Sequence, residues 1–69
     1  MDLTLIIKKA LLDNHMQIGE FADKLGWTRQ NLSLKFKRND YKVSELERMA
    51  ELLNLNLSIT LSPKDNVNQ

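Results

Sequence analysis

The chain has 69 residues, 28% of them charged, a formal net charge of +1 and no cysteine. Its length predicts one domain with a small core, and its composition excludes disulfides and a structural zinc site of the Cys/His type. No apolar run approaches the about 20 residues of a membrane span, and the charges near the N-terminus run opposite to those of a signal peptide, so we expect a soluble cytoplasmic protein.

The first predicted element is a helix that begins at Asp2 or Thr4, both acceptable N-caps, and ends at about Asn14. Apolar residues at helical spacing form its expected core stripe. These are Leu3, Ile7, Ala10 and Leu11. Residues 14–17 are expected to form a short connection to the next helix.

Two short helices separated by a turn are predicted next, within residues 16–38. The apolar residues of the first lie at i, i+3, i+4 and i+7: Ile18, Phe21, Ala22 and Leu25. Gly26 then suits a left-handed helix end, and Thr28 offers a hydroxyl N-cap for a helix over residues 29–37. Leu32 and Phe36 are its expected buried residues. This arrangement is typical of a helix-turn-helix, in which the second helix enters the DNA major groove.

After a loop over 38–43, a fourth helix is predicted to begin at Ser44 with a capping box formed by Ser44 and Glu47. Asn54 is expected to end it in the left-handed conformation. Its apolar stripe comprises Leu46, Met49, Ala50 and Leu53. The prediction for residues 1–54 is therefore a mainly α, compact four-helix DNA-binding domain.

Residues 55–61 alternate strictly between apolar and polar side chains, which predicts a half-buried β-strand. The apolar positions are Leu55, Leu57, Ile59 and Leu61. No other segment offers a partner strand, so we expect the same strand of a second copy to pair with it and form a homodimer. The alternative is an extended tail that covers the core of its own chain. Residues 62–69 are polar and contain Pro63, and we expect them to be disordered.

Basic charge is concentrated in residues 28–42. This segment carries five basic residues against one acidic residue, whereas the remainder carries five against eight. A basic stretch can simply be a solvated helix face, but its coincidence with the helix-turn-helix pattern favours an interface with the phosphates of double-stranded DNA.

The outward face of the third helix supplies the expected base contacts, which are Arg29, Gln30, Ser33 and Leu34. Arg29 suits guanine and Gln30 suits adenine, since each can make paired hydrogen bonds to those bases in the major groove. Ser33 can donate or accept. Leu34 either packs on a thymine methyl or belongs to the core.

A second set of residues is expected to contact phosphates and position the protein on DNA. It comprises Gln17, Thr28, Asn31, Lys37, Arg38 and Lys42. Gln17 lies at the N-terminus of the second helix, where free backbone N–H groups favour an anion. Lys35 is ambiguous, because the helical wheel turns it toward the edge of the core, where its stem can be buried and its ammonium group can reach solvent.

The segment Ala22–Gly26, followed by Trp27, Thr28 and Leu32, resembles the Cro/phage-repressor (XRE) helix-turn-helix family. The stretch Leu-Ser-Leu-Lys-Phe-Lys, which ends at Lys37, is similar to the recognition helix of small phage-type regulators. The resemblance covers roughly residues 3–54. It implies a lambda-repressor-like domain that acts as a dimer on a palindromic operator and regulates transcription, with repression favoured.

The sequence gives little support for catalysis or for the binding of a small ligand. His15 stands without a patterned partner and is expected to be a solvated loop residue, and Trp27 is expected to be core. We predict no catalytic residue, cofactor, metal or small-molecule ligand, and no enzymatic activity. Two alternatives stay open: a protein-interaction module, such as an antitoxin-like protein with secondary DNA binding, and a nonspecific architectural DNA-binding protein.

Overall fold

The computed structural model describes residues 2–64, and this part of the chain contains four helices. They are α1 (Leu3–Asp13), α2 (Ile18–Leu25), α3 (Arg29–Arg38) and α4 (Val43–Leu52). The predicted mainly helical fold is confirmed, with each helix within two residues of its expected start. None of these helices is long and apolar enough to cross a membrane.

The core is formed by the apolar stripes of all four helices. Its largest fully buried side chains are Phe21, Leu32, Met49 and Leu53. The stripe of α1 contributes Ile7, Ala10 and Leu11, whereas Leu3, also expected there, is only partly buried. Burying a large apolar side chain contributes about 1.5–3 kcal/mol. The helix-period pattern therefore accounts for which side of each helix faces inward.

The turn between α2 and α3 has the predicted chemistry. Gly26 adopts the left-handed conformation with φ 77°, and the N–H of Trp27 bonds to the carbonyl of Ala22 at 2.9 Å. Thr28 caps α3, accepting the N–H of Asn31 at 3.0 Å. Trp27 itself is half-buried and packs against the core. These bonds fix the direction in which α3 leaves α2.

The start of α4 differs from the prediction. The expected capping box of Ser44 and Glu47 was wrong, because α4 begins at Val43 with Lys42 as its N-cap. Glu45 Oε1 accepts the backbone N–H of Lys42 at 2.8 Å and also binds Lys35 Nζ at 3.0 Å. The local bond to Lys42 caps α4, and the ion pair with Lys35 joins α4 to α3, which no local pattern shows.

Both ends of helix α1 are hydrogen-bonded to the rest of the domain. Thr4 Oγ1 lies 2.9 Å from the carbonyl oxygen of Phe36 and 3.1 Å from Asn39 Oδ1, and it also contacts the hydroxyl of Tyr41. At the other end, the amide of Asn14 donates to the carbonyl of Leu53 at 3.1 Å. Thus α1 connects the C-terminal ends of α3 and α4.

Residues 55–64 follow α4 and are assigned to neither a helix nor a strand. The N–H of Leu55 bonds to the carbonyl of Ala50 at 2.8 Å, and Asn54 has the predicted left-handed conformation with φ 57°. Since the expected partner of the 55–61 strand is a second copy, its pairing stays a prediction. Of the predicted disordered tail, residues 65–69 lie outside the described residues.

Candidate nucleic-acid interface

One face of α3 is exposed and carries the side chains expected to contact bases. Arg29, Gln30, Ser33 and Leu34 are all exposed, as is Lys37 farther along the helix. Leu34, which could have belonged to the core, is 43% exposed. Within residues 2–64, none of these five side chains makes a hydrogen bond or an ion pair with any other residue. The face is therefore available to an external partner.

The orientation of α3 is set by the opposite side of the helix. Leu32 is completely buried and Phe36 is 8% exposed. Rotating α3 about its axis would remove both from the core, at a cost of about 1.5–3 kcal/mol for each side chain. The ammonium group of Lys8, from α1, lies 5.6 Å from the centre of the Phe36 ring. The outward direction of Arg29 and Gln30 is therefore fixed by packing.

The structure brings Gln17 and Arg29 to the same cleft, where α1, α2 and α3 meet. Lys8 and Leu12 of α1 also line this cleft. The side chain of Gln17 makes no capping bond with α2, so the first N–H groups of that helix have no side-chain partner in the described chain. A predicted phosphate contact and a predicted base contact thus line one cleft.

A second cleft runs along another face of α3. Its helical wall is formed by Asn31, Leu34, Lys35 and Arg38, which share one face at i, i+3, i+4 and i+7. Trp27, Asp40 and Glu45 also line this cleft. Asn31 and Arg38, both predicted phosphate contacts, therefore share this face about two helical turns apart. Lys35 lies beside them, but its ammonium group binds Glu45.

Two further predicted phosphate contacts have different surroundings. Thr28 uses its hydroxyl oxygen to cap α3, which leaves its own proton available as a donor. Lys42 is exposed at the N-cap of α4, so it stands on a different element from Lys37 and Arg38. The three cations therefore belong to two helix ends, the C-terminal end of α3 and the N-terminal end of α4.

The electrostatics of the second cleft centre on Glu45. The N–H of Lys42 is the main cause that lowers the pKa of this carboxyl below its ordinary value, and the ammonium group of Lys35 acts in the same direction. Both contacts favour the ionised carboxylate. Lys35 therefore lies against a negative charge, which offsets one of the five basic charges of residues 28–42.

Several residues that position α3 were not found from the sequence. Thr4, Asn39 and Tyr41 hold the C-terminal end of α3 against α1, across 35 to 37 positions of the chain. Arg48 of α4 donates to the carbonyl of Lys24, at the end of α2, at 2.9 Å. Only the left-handed Asn39, with φ 52°, has a local signal, since asparagine is common just after a helix.

The comparisons with known proteins leave the family open. No family model matches the chain, and no curated protein or solved structure matches it either.

Proposed function

We propose that the protein is a sequence-specific regulator of transcription that binds double-stranded DNA as a homodimer, with α3 in the major groove. Repression is the favoured direction, and the domain is of the lambda-repressor-like, Cro/phage-repressor type. The observation that supports this most is that Arg29, Gln30 and Ser33 are exposed and have no partner within residues 2–64, on a helix whose other face is buried through Leu32 and Phe36. The proposal requires no cofactor or metal and places the protein in the cytoplasm.

The N-terminal end of α3 would supply base specificity. Arg29 can donate two hydrogen bonds to O6 and N7 of guanine, and Gln30 can pair with N6 and N7 of adenine. Each such contact discriminates against a wrong base by about 1–3 kcal/mol. Ser33 adds a short hydroxyl one turn farther along. Leu34, exposed at the edge of this face, is suited to a thymine methyl group.

Phosphate contacts would surround this face on both sides. Gln17 lines one cleft together with Arg29, and Asn31 and Arg38 line the other. Thr28, Lys37 and Lys42 complete the set. Cations that neutralise phosphates release counterions, so binding should weaken steeply as salt increases. This term gives affinity, whereas the contacts of Arg29 and Gln30 give sequence preference.

The C-terminal segment would form the dimer. Leu55, Leu57, Ile59 and Leu61 are all exposed, although they are apolar. Residues 55–61 carry no charge, and the backbone groups of 56–61 have no hydrogen-bond partner in the described single chain. A second copy can satisfy them by pairing antiparallel about a two-fold axis. Two recognition helices would then face successive major grooves.

Selection of bound sequences from a random duplex pool, at near-physiological salt, tests the proposal. A recovered palindrome with half-sites about 34–36 Å apart, or a multiple of that distance, supports dimeric sequence-specific binding. Lys9→Ala, on the exposed side of α1, is the control for a lost surface charge and should recover the same sequence. Weak, salt-sensitive binding without enrichment would contradict the proposal and favour the antitoxin-like interaction module.

A further inference from the structure

Glu45 lies between the two elements that carry the basic charge. Its carboxylate accepts the N–H of Lys42 at 2.8 Å and the ammonium group of Lys35 at 3.0 Å. The side chains of Glu45 and Lys35 are only 16% and 31% exposed. A pair this well covered is less screened by salt than an exposed one. Lys35 is therefore held by a specific partner.

The restraint on Lys35 matters because this residue lies next to the proposed phosphate contacts. Lys35 stands on the same face of α3 as Asn31 and Arg38 and lines the same cleft. These two neighbours are the proposed phosphate contacts on that side of the recognition helix. An ammonium group released from Glu45 would have a flexible four-carbon stem with which to reach the same stretch of backbone.

We propose that Glu45 withholds Lys35 from the DNA backbone and so limits the number of phosphates that α3 neutralises. The inference rests on the proposed function, since it concerns the same interface. Each neutralised phosphate contributes about 0.9 to the slope of log affinity against log salt concentration. Backbone contacts carry no sequence information. Glu45 thus lowers affinity for all DNA sequences alike, while the base contacts of Arg29 and Gln30 are unaffected.

Replacing Glu45 by glutamine tests this with little change in shape. The amide oxygen of E45Q can still accept the N–H of Lys42, so the start of α4 is retained, but the negative charge that holds Lys35 is gone. We expect the salt slope of E45Q to steepen by about 0.9, equally for a selected site and for unrelated duplex. Base preference in a pool selection should not change.

Two further variants separate the release of Lys35 from the general loss of a negative charge. Glu47→Gln removes a carboxylate on the exposed side of α4 and should leave the salt slope as in the wild type. The double variant Glu45→Gln with Lys35→Gln should also return to the wild-type slope, and Lys35→Gln alone should change it little. An unchanged slope in E45Q, or an equally steep slope in the double variant, would overturn the proposal.

A measurement without DNA distinguishes failure of this inference from failure of the proposed function. NMR relaxation of the Lys35 ammonium nitrogen should show slow reorientation in the wild type and fast reorientation in E45Q. A freely rotating ammonium group in the wild type would overturn the role of Glu45, whether or not DNA binds. Absence of binding to any duplex, with a restrained ammonium group, would instead overturn the proposed function and with it the phosphate role of Lys35.

Discussion

Thr4 Oγ1 lies 2.9 Å from the carbonyl oxygen of Phe36, which joins the first turn of α1 to the last turn of α3. The same hydroxyl contacts Asn39 Oδ1 and the phenol of Tyr41. A hydroxyl has one proton and two acceptor positions, so Tyr41 can donate to it while it donates to one of the two oxygens. Burial is the main cause that raises the pKa of Tyr41, which favours its neutral, donating form.

Thr4→Val keeps the branched shape and removes these hydrogen bonds. We expect the free energy of unfolding to fall by about 1–3 kcal/mol, because partly buried polar groups lose their partner. Urea denaturation followed by circular dichroism measures the change. Thr4→Ser, which keeps the hydroxyl and loses only a methyl group, is the control and should stay closer to the wild type. Equal stability of the wild type and Thr4→Val would contradict the importance of this contact.

Gly26→Ala should destabilise the protein through backbone conformation alone. A Cβ at this position meets nothing within 4 Å, but φ is +77°. The left-handed conformation costs an L-residue about 1–2 kcal/mol. Gly19→Ala is the matched control, since its Cβ also meets nothing within 4 Å but the residue lies within α2. There alanine should raise the melting temperature slightly, whereas at Gly26 it should lower it.

Arg29→Ala and Gln30→Ala should each weaken binding to a selected site and relax the preference for one base pair. The expected loss is about 1–3 kcal/mol for each variant, because each side chain is proposed to make a paired base contact. Competition binding against single-base variants of the site measures both effects. Arg38→Ala is the comparison: it should weaken binding to every sequence alike. Full affinity and unchanged base preference in both Arg29→Ala and Gln30→Ala would refute the assignment of these two residues as base contacts.

The stability of the protein should depend on the protonation of Glu45. The pKa of Glu45 is lowered in the folded state, mainly by the N–H of Lys42. The contribution of Glu45 to the free energy of unfolding is therefore present above the ordinary glutamate pKa and is lost as pH falls through the lowered pKa. The wild type should be more stable than E45Q near neutral pH, and the difference should disappear in acid. Denaturation curves over this range would show a constant difference if Glu45 had no such role.

Charged residues at the apolar positions of the C-terminal segment should separate the proposed dimer. Leu57→Lys with Ile59→Lys places like charges at a two-fold interface, which opposes pairing of identical strands. Sedimentation velocity should then show a shift toward monomer. Ser58→Lys is the control, because the predicted strand would place Ser58 on the opposite face, and it should affect dimerisation less. If the double variant remains a dimer, the interface lies elsewhere.

Local patterns in the sequence were sufficient for the helices and for the turn that positions α3. The spacing of Phe21, Ala22 and Leu25, the left-handed Gly26 and the cap at Thr28 all depend on residues a few positions apart. The start of α4 was misplaced because Glu45, rather than Glu47, caps the helix through the N–H of Lys42, and Glu45 also binds Lys35, ten positions away on another helix. Local spacing carries no information on such pairs.

The same limit applies to the candidate interface. The exposed set on α3 followed from the helical wheel, since Leu32 and Phe36 define the buried side. That Gln17 and Arg29 line one cleft required the packing of α1, α2 and α3. The sequence placed Lys35 at the edge of the core but did not predict that it is held there, because its partner Glu45 belongs to α4.

The attachment of α1 at both ends has a consequence for the order in which the domain opens. Thr4 holds the end of α3, and Asn14 holds the end of α4 through the carbonyl of Leu53. Detaching α1 breaks both contacts and uncovers Ile7 and Leu11 together. The amide protons of α1 and of the last turns of α3 and α4 should therefore exchange with solvent as one cooperative unit, so α3 keeps its orientation only while α1 stays in place.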